Sequence, residues 1–237
     1  MKIAIITGGT GEIGRAIAAS LDIIGYKSVL IYSANDQKAL LAKKRVPTAI
    51  IMKCDVSNEK DVSVTFEKIR SEFGKIDLLV NNSAPLIKNG RFDKKDLNEF
   101  RKHIDVTFFG AVYCCRSAIP LMKEGGLIVN ILTEYVHGVP PPGISEYVSA
   151  KYALLGLTRC LAAEFFSRNI RVNSLSPSMI ETDFLSNLPH KLIELEKEKN
   201  VFKSLTKPED VANKVVYLLS SEGSNLNGMD IEVNINK

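Results

Sequence analysis

The sequence predicts an α/β protein: a doubly wound, seven-stranded parallel sheet with helices on both faces, as one domain over residues 1–237. Three observations carry this expectation. Short apolar runs alternate with stretches of helical periodicity along the whole chain, the pattern of repeated β-α-β units. The first apolar run breaks directly into a glycine-rich turn that opens a helix. A chain of 237 residues that is 45% hydrophobic supplies one sizeable core and is short for two, with no linker or repeat between halves.

In order, Lys2–Ile6 is a strand, Thr7–Gly14 the turn, and Arg15–Ile24 a helix with Ile13, Ile17, Leu21 and Ile24 on one face. Ser28–Tyr32 is the second strand, Lys38–Lys44 a helix, and Ala49–Cys54 the third strand. Asp55 follows it, placed either to meet a ligand or to cap the next helix, with Ser57 and Asn58 as rival caps. That helix is Lys60–Phe73, broken by Gly74, and Ile76–Val80 is the fourth strand. It ends in the short polar run Asn81-Asn82-Ser83-Ala84, suited to bracing loops or lining a crevice. Leu97–Lys123 reads as a long, largely buried helix, Leu127–Leu132 as the fifth strand, and Tyr147–Arg168 as a helix after a proline-rich loop. Arg171–Leu175 is the sixth strand. Residues 183–203, with alternating Lys and Glu, read as an amphipathic flap, Glu209–Leu219 as the last helix, and Met229–Ile235 as the closing strand.

Composition narrows the function. Charged residues make up 24% and the net charge is +4, spread along the chain, which helps a phosphorylated ligand approach but does not point to nucleic acid. The longest apolar runs are strand-sized, so no membrane span is expected, and the location expected is cytoplasmic. Cys54, Cys114, Cys115 and Cys160 show no CxxC spacing and read as buried thiols in a reducing compartment. No His/Asp/Glu cluster has metal-ligand spacing; His103 and His190 read as surface residues and His137 as a solvated loop residue.

Two stretches carry chemistry. The Thr7–Gly14 turn lets the backbone approach a pyrophosphate, which the free N–H groups of the following helix would bind. Tyr147 and Lys151, four apart, share one helix face. An ammonium beside a phenol lowers its pKa, so the pair suits proton transfer to or from a carbonyl or alcohol oxygen. The same spacing also occurs on helices with no chemical role. At the end of the second strand an acid would chelate ribose hydroxyls and favour NAD, but here stand Tyr32-Ser33-Ala34-Asn35, with Asp36 late and Lys38 beyond. The missing acid leans towards NADP(H), with NAD(H) the alternative.

With these motifs in this order, the chain resembles the short-chain dehydrogenase/reductase family from end to end, with a Rossmann fold, and among its members the 3-oxoacyl-carrier-protein reductases. The motifs are Thr7-Gly8…Gly14, Asp55-Val56, Asn81-Asn82-Ser83-Ala84, Tyr147…Lys151, Arg171-Val172-Asn173, Pro177…Thr182 and Pro208…Ala212. The resemblance implies cofactor contacts from Gly8, Thr10, Gly11, Glu12, Ile13, Gly14, Ser33, Asn35, Asp55, Val56, Asn82, Ser83, Ala84, Pro177, Ile180 and Thr182. It implies Tyr147 as general acid, Lys151 on the nicotinamide ribose, Thr133 in place of the usual serine, and Thr107 where the family has a relay asparagine. Glu12 replaces a turn glycine, and its side chain is expected to point away from the pyrophosphate. Ser178 stands after Pro177 for the usual glycine, and Asn234-Ile235-Asn236 replaces a terminal Asp-Gly-Gly. The implied activity is NADPH-dependent reduction of a 3-oxoacyl thioester or similar ketone, on a small-molecule or carrier-bound substrate, by a homotetramer or homodimer packed through the two long helices. The alternatives are an NAD-dependent polyol dehydrogenase and a dinucleotide-binding regulatory protein without turnover.

Overall fold

The structure, a computed structural model, describes residues 1–199 and 203–234; flap residues 200–202 and Ile235–Asn236 at the expected end of the closing strand lie outside the described residues. Among the described residues seven strands form one all-parallel sheet, β1 (Lys2–Thr7), β2 (Tyr26–Tyr32), β3 (Ile50–Lys53), β4 (Ile76–Asn81), β5 (Met122–Ile131), β6 (Arg171–Pro177) and β7 (Asp230–Val233). Their spatial order is β3-β2-β1-β4-β5-β6-β7. The central strands β1, β2, β4 and β5 carry runs of Ile, Val and Leu because both faces are covered, as in a parallel sheet wound by helices.

Alternate side chains divide the core into two layers. Ala4, Ile6, Leu78 and Val80 meet Ile17 and Leu21 of α1 (Glu12–Ile23) together with Val211, Val215 and Leu218 of α8 (Pro208–Leu219). On the opposite face, Ile3, Ile5 and Leu79 meet Val62, Phe66 and Ile69 of α3 (Glu59–Phe73) and Cys114, Cys115 and Ala118 of α5 (Gly110–Ala118). Side chains cap the head of α2 (Asp36–Arg45), where Asn35 accepts from the Lys38 N–H, and the head of α3, where Asn58 rather than Asp55 is the cap. Asp55 instead accepts from the backbone and hydroxyl of Ser57.

The expected long helix is broken. α4 (Leu97–His103) passes through a π-helical segment at Ile104–Phe109 into α5, and a 3₁₀ turn at Ile119–Leu121 ends the run. Pro120 has no N–H to extend the helix, so β5 starts at Met122 rather than Leu127. The price of the early start is a register shift: Ile76 pairs with Met122, but Leu78 pairs with Leu127. The stretch Leu97–Leu121 has the length and composition to cross a bilayer, contrary to the sequence expectation, yet here it packs on the sheet as part of the core. It is half-buried rather than largely buried, with Leu97 66% and Phe109 40% exposed. α6 is Ser145–Glu164, followed by a 3₁₀ turn to Arg168. The flap contains a turn at Asp183–Leu185 and α7 (His190–Lys199).

Among the histidines and cysteines, three expectations fail. His103 is fully buried, since its helix face packs on α6, and Cys160 lies exposed on the outer face of α6. His137 is tied down: its Nε2 lies 2.7 Å from Asp230 Oδ2, while Ser174 and Ser176 also donate to that carboxylate.

The turn after β1 tolerates little. A Cβ on Gly14 would lie 2.6 Å from Gly9 Cα and 2.7 Å from the Gly8 carbonyl oxygen, both backbone atoms that move only with the turn. Gly14→Ala is therefore expected to cost about 1–3 kcal/mol or more, as overpacking does. Gly11→Ala, whose nearest atom would be at 3.3 Å, costs much less. Urea unfolding midpoints of the two variants check this; equal losses would contradict it.

Candidate active site

Strand order reverses between β1 and β4: the chain leaves β1 outward to β2 and β3, then returns to β4 on the other side. At such a switch point the two connections part and leave a crevice beyond the strand ends. Here a cleft of about 360 Å³ opens there. Its rims are fixed by hydrogen bonds that carry on where the ladder ends. Thr7 Oγ1 accepts from Asn82 N at 2.9 Å and Ser83 N at 3.1 Å, and Asn82 Nδ2 donates to the Thr7 and Gly8 carbonyls. Gly8 adopts φ +60°, a conformation a side chain there would resist.

Nearly all the residues singled out from the sequence converge on this cleft. Gly8, Thr10, Gly11, Glu12 and Ile13 line it at the turn, Ser33 and Asn35 at the end of β2, Asp55 and Val56 after β3, and Asn82, Ser83 and Ala84 after β4. Thr133, Tyr147, Lys151, Pro177, Ile180 and Thr182 close the far side. Two do not line it. Gly14 lies behind the turn, where it lets the helix approach Gly9 closely. Thr107 sits buried in the π-helical segment, its hydroxyl without a hydrogen-bond partner among the described residues.

α6 brings Tyr147 and Lys151 to one face, one turn apart, and the Thr133 hydroxyl at the end of β5 hydrogen-bonds the phenol. Lys151 Nζ lies 5.6 Å from the Tyr147 ring centroid and donates to the Ile131 carbonyl at 2.6 Å. Burial dominates both titrations. It pushes the Tyr147 phenol up to about 12, against the lowering by Thr133, and pushes Lys151 down to about 7. The sequence-based expectation that Lys151 lowers the Tyr147 pKa is thus outweighed by desolvation of both groups.

Behind the tyrosine lies a polar layer that the sequence did not announce. The Lys95 ammonium bonds the Glu146 carboxylate and donates to the Gly143 carbonyl at 2.7 Å and the Lys88 carbonyl at 2.9 Å. Its side chain is 6% exposed and that of Glu146 0%. One ion pair thus joins the loop before α4, the proline-rich loop and the first turn of α6. The His103 ring packs edge-on against Tyr147 at 6.2 Å, and burial lowers its pKa, which holds it neutral.

The cleft fits a dinucleotide at its glycine-rich end. The N-cap of α1 is Gly11, so no side chain consumes the free N–H groups of its first turn, and Gly14 lets the helix start close against the turn. Glu12 is the exception in charge, but its carboxylate is engaged: Oε2 accepts from Asp183 N at 2.8 Å, across the cleft mouth.

Comparison with known proteins agrees with the fold. The family described as Enoyl-(Acyl carrier protein) reductase matches residues 9–235. The 3-oxoacyl-[acyl-carrier-protein] reductase FabG of Staphylococcus epidermidis is 30% identical over 98% of this chain and 97% of its own. The chain belongs to the short-chain dehydrogenase/reductase family. Among solved members, a short-chain dehydrogenase from Burkholderia cenocepacia in complex with NADP superposes with TM-score 0.90 at 26% identity, over 98% of this chain and 96% of that one. The 3-ketoacyl-(acyl-carrier-protein) reductase of Brucella melitensis, complexed with NADH, superposes with TM-score 0.89 at 28% identity, with the same coverage. This short-chain dehydrogenase/reductase is an NAD(P)-dependent oxidoreductase acting on the CH–OH/C=O couple.

Sequence reasoning missed the apolar wall beyond Tyr147: Leu86, Ile87, Met179, Leu185 and Leu188 line the cleft there, with Tyr135. Ile87, Tyr135, Tyr147 and Leu188 pack in one cluster with Ile144 and Val148. The signal available was an apolar Leu86-Ile87 pair in a loop where polar residues are the rule. Burial of Tyr135, and then the Glu196 carboxylate of α7, raise its phenol pKa.

Three variants test the electrostatics. Lys95→Met strands the buried Glu146 carboxylate and is expected to cost about 3–5 kcal/mol, most of it recovered in Lys95→Met/Glu146→Leu. Urea unfolding of both decides it, and a double variant no better than the single refutes the account. Lys151 is protonated in the unfolded chain up to its usual pKa of 10.5, but in the folded protein only to about 7. The folded state therefore binds fewer protons between those values, and stability rises with pH across that window. Lys151→Met removes the penalty, so its gain in Tm over the parent should be greatest at and below pH 7 and fade towards pH 10. A pH-independent difference would show that burial does not depress this lysine.

Proposed function

We propose that this enzyme reduces a ketone carried on an apolar chain, with a 3-oxoacyl thioester as the leading substrate and NADPH as the preferred reductant. The observation that carries the reading is the Thr133–Tyr147 hydrogen bond above buried Lys151, at the foot of an apolar wall. Thr133 and Tyr147 are two hydroxyl donors that can meet one carbonyl oxygen. A phenol pushed up to about 12 is fully protonated at neutral pH, which is the form a reduction needs. As negative charge develops on the substrate oxygen, the phenol proton passes to it, because an alkoxide is the stronger base. Bound nicotinamide supplies the hydride, so the carbonyl becomes a CH–OH and NADPH becomes NADP⁺. Lys151 would hold a ribose hydroxyl, and its positive charge would favour the phenolate left behind. Gly8 and the first turn of α1 would hold the pyrophosphate, Asp55 and Val56 the adenine, and Ile180 and Thr182 the carboxamide. Residues 183–203 would act as the substrate flap of a single domain.

The NADPH preference draws on Asp36. That carboxylate is the nearest acid to the end of β2, but it accepts from Tyr32 Oη at 2.9 Å and pairs with Lys53 at 3.3 Å. It does not line the cleft, where Ser33, Asn35 and Lys38 stand instead. The apolar wall supports an acyl or similar ketone over a polyol. A dinucleotide-binding protein without turnover remains the second reading, favoured by Thr107, whose buried hydroxyl lies off the cleft where the family relay has an asparagine.

The same reading makes the protein a cytoplasmic homotetramer or homodimer. Phe109 and Tyr152, 40% and 47% exposed on the two long helical stretches, suit burial against a second copy.

Consumption of NADPH and of NADH with a short 3-oxoacyl thioester, for the parent and Tyr147→Phe, tests the proposal. Turnover should prefer NADPH and fall by about 10²–10⁴-fold in the variant, the usual worth of a positioned acid. Cofactor binding without turnover would sink the thioester assignment, and a silent ketone and polyol panel would then favour the regulatory reading.

A further inference from the structure

The mouth of the cleft carries an unusual arrangement of charge. Lys38, near the start of α2, points across it and pairs with Asp183 at 3.0 Å, a residue 145 positions away at the start of the flap. The backbone N–H of the same Asp183 donates to Glu12 Oε2 at 2.8 Å. Asp183 therefore joins three parts of the chain that sequence keeps apart: the start of α1 after the glycine turn, the first turn of α2 and the flap. All three residues line the cleft. The neighbouring cations are otherwise engaged. Lys53 pairs with Asp36 and lies over the Tyr32 ring, and Arg15 donates to the Thr10 carbonyl.

We propose that Asp183 is an internal anion that competes with the 2′-phosphate of the dinucleotide for Lys38, so that binding of that phosphate releases the first turn of the flap. The inference rests on the NADPH reading given above. A 2′-phosphate belongs at the end of β2, where Ser33, Asn35 and Lys38 stand. One ammonium can touch both a carboxylate and a phosphate, but the two anions then face each other at short range and repel. The Lys38–Asp183 pair is exposed, at 37% and 70%, and an exposed pair is held weakly. A dianionic phosphate is the better partner and displaces it. The Asp183 side chain then loses this cation, while its backbone N–H still donates to Glu12 Oε2, a contact that does not hold the side chain. A dinucleotide lacking the 2′-phosphate leaves the pair in place. Selectivity and flap opening become two readings of one exchange.

Binding of 2′,5′-ADP and of 5′-AMP, fragments that differ by the 2′-phosphate, tests this at low salt by calorimetry, independently of turnover. In the parent 2′,5′-ADP should bind about 10-fold tighter than 5′-AMP. Asp183→Asn should tighten 2′,5′-ADP a further ~3–10-fold and leave 5′-AMP within about 2-fold, an ordinary range for one charge contact. Lys38→Met should erase both the preference and the response to Asp183→Asn in the double variant. In hydrogen exchange, 2′,5′-ADP but not 5′-AMP should speed exchange across 183–188. Equal effects of Asp183→Asn on both fragments, or the same effect without Lys38, would overturn the competition while leaving the NADPH preference standing. No preference for 2′,5′-ADP in the parent would overturn the preference and the competition together.

Discussion

The site depends on a joint between two strands that are neighbours in space but not in sequence. Where β1 and β4 run out of ladder, the Thr7 hydroxyl takes two N–H groups from the start of the next loop, and Asn82 returns its amide to the Thr7 and Gly8 carbonyls. Without these bonds, buried N–H and C=O groups at the strand ends would be left unsatisfied, and the loops would close over them. With them, the two loops stand apart at a fixed width. The close contact of Gly14 with Gly9 then sets how near the first turn of α1 comes to the same crevice. The cofactor half of the cleft is therefore made largely of backbone, which is why it tolerates the exchange of a turn glycine for Glu12.

Burial, rather than charge pairing, governs the acid–base chemistry of the other half. Tyr147 and Lys151 sit one turn apart, and pairing alone would make the phenol more acidic. The structure gives the opposite order, a phenol near 12 beside an amine near 7, since each charged form is penalised for leaving water. That state suits reduction: the acid holds its proton until an oxyanion develops beside it. An anionic ligand in the cleft would restore the charge on Lys151 and so bring the pair closer to the simple picture.

Periodicity and glycine placement made the sheet, its strand count and the cofactor end legible, since those features answer to local rules. What stayed hidden depends on contacts between distant residues. The break in the long helix follows from Pro120, visible in the sequence, but the π-helical segment that buries Thr107 shows no composition of its own. His103 looks like a surface histidine beside Arg101 and Lys102, and only the packing of α4 on α6 buries it against Tyr147. His137 gained a partner in Asp230, 93 residues on, because the loop after β5 folds back towards the sheet edge. Cys160 escaped the core since helical spacing placed it on the outer face of α6.

The two ionic ties around the substrate half differ in kind, and the difference follows from exposure. Lys95–Glu146 is shut away from water, with its ammonium also bonded to two carbonyls. Breaking it leaves a bare charge inside the protein, so it has one state and serves as a brace for the first turn of α6 and the loops beside it. Lys38–Asp183 lies in solvent, where either partner can turn to water or to another ion at little cost. A brace of the second kind would hold nothing rigid, and a switch of the first kind would never open. The tyrosine's helix is therefore braced by the buried pair, while the flap is attached through the exposed one; in the proposed reading, the part that would admit substrate is the part whose attachment an arriving anion would take over.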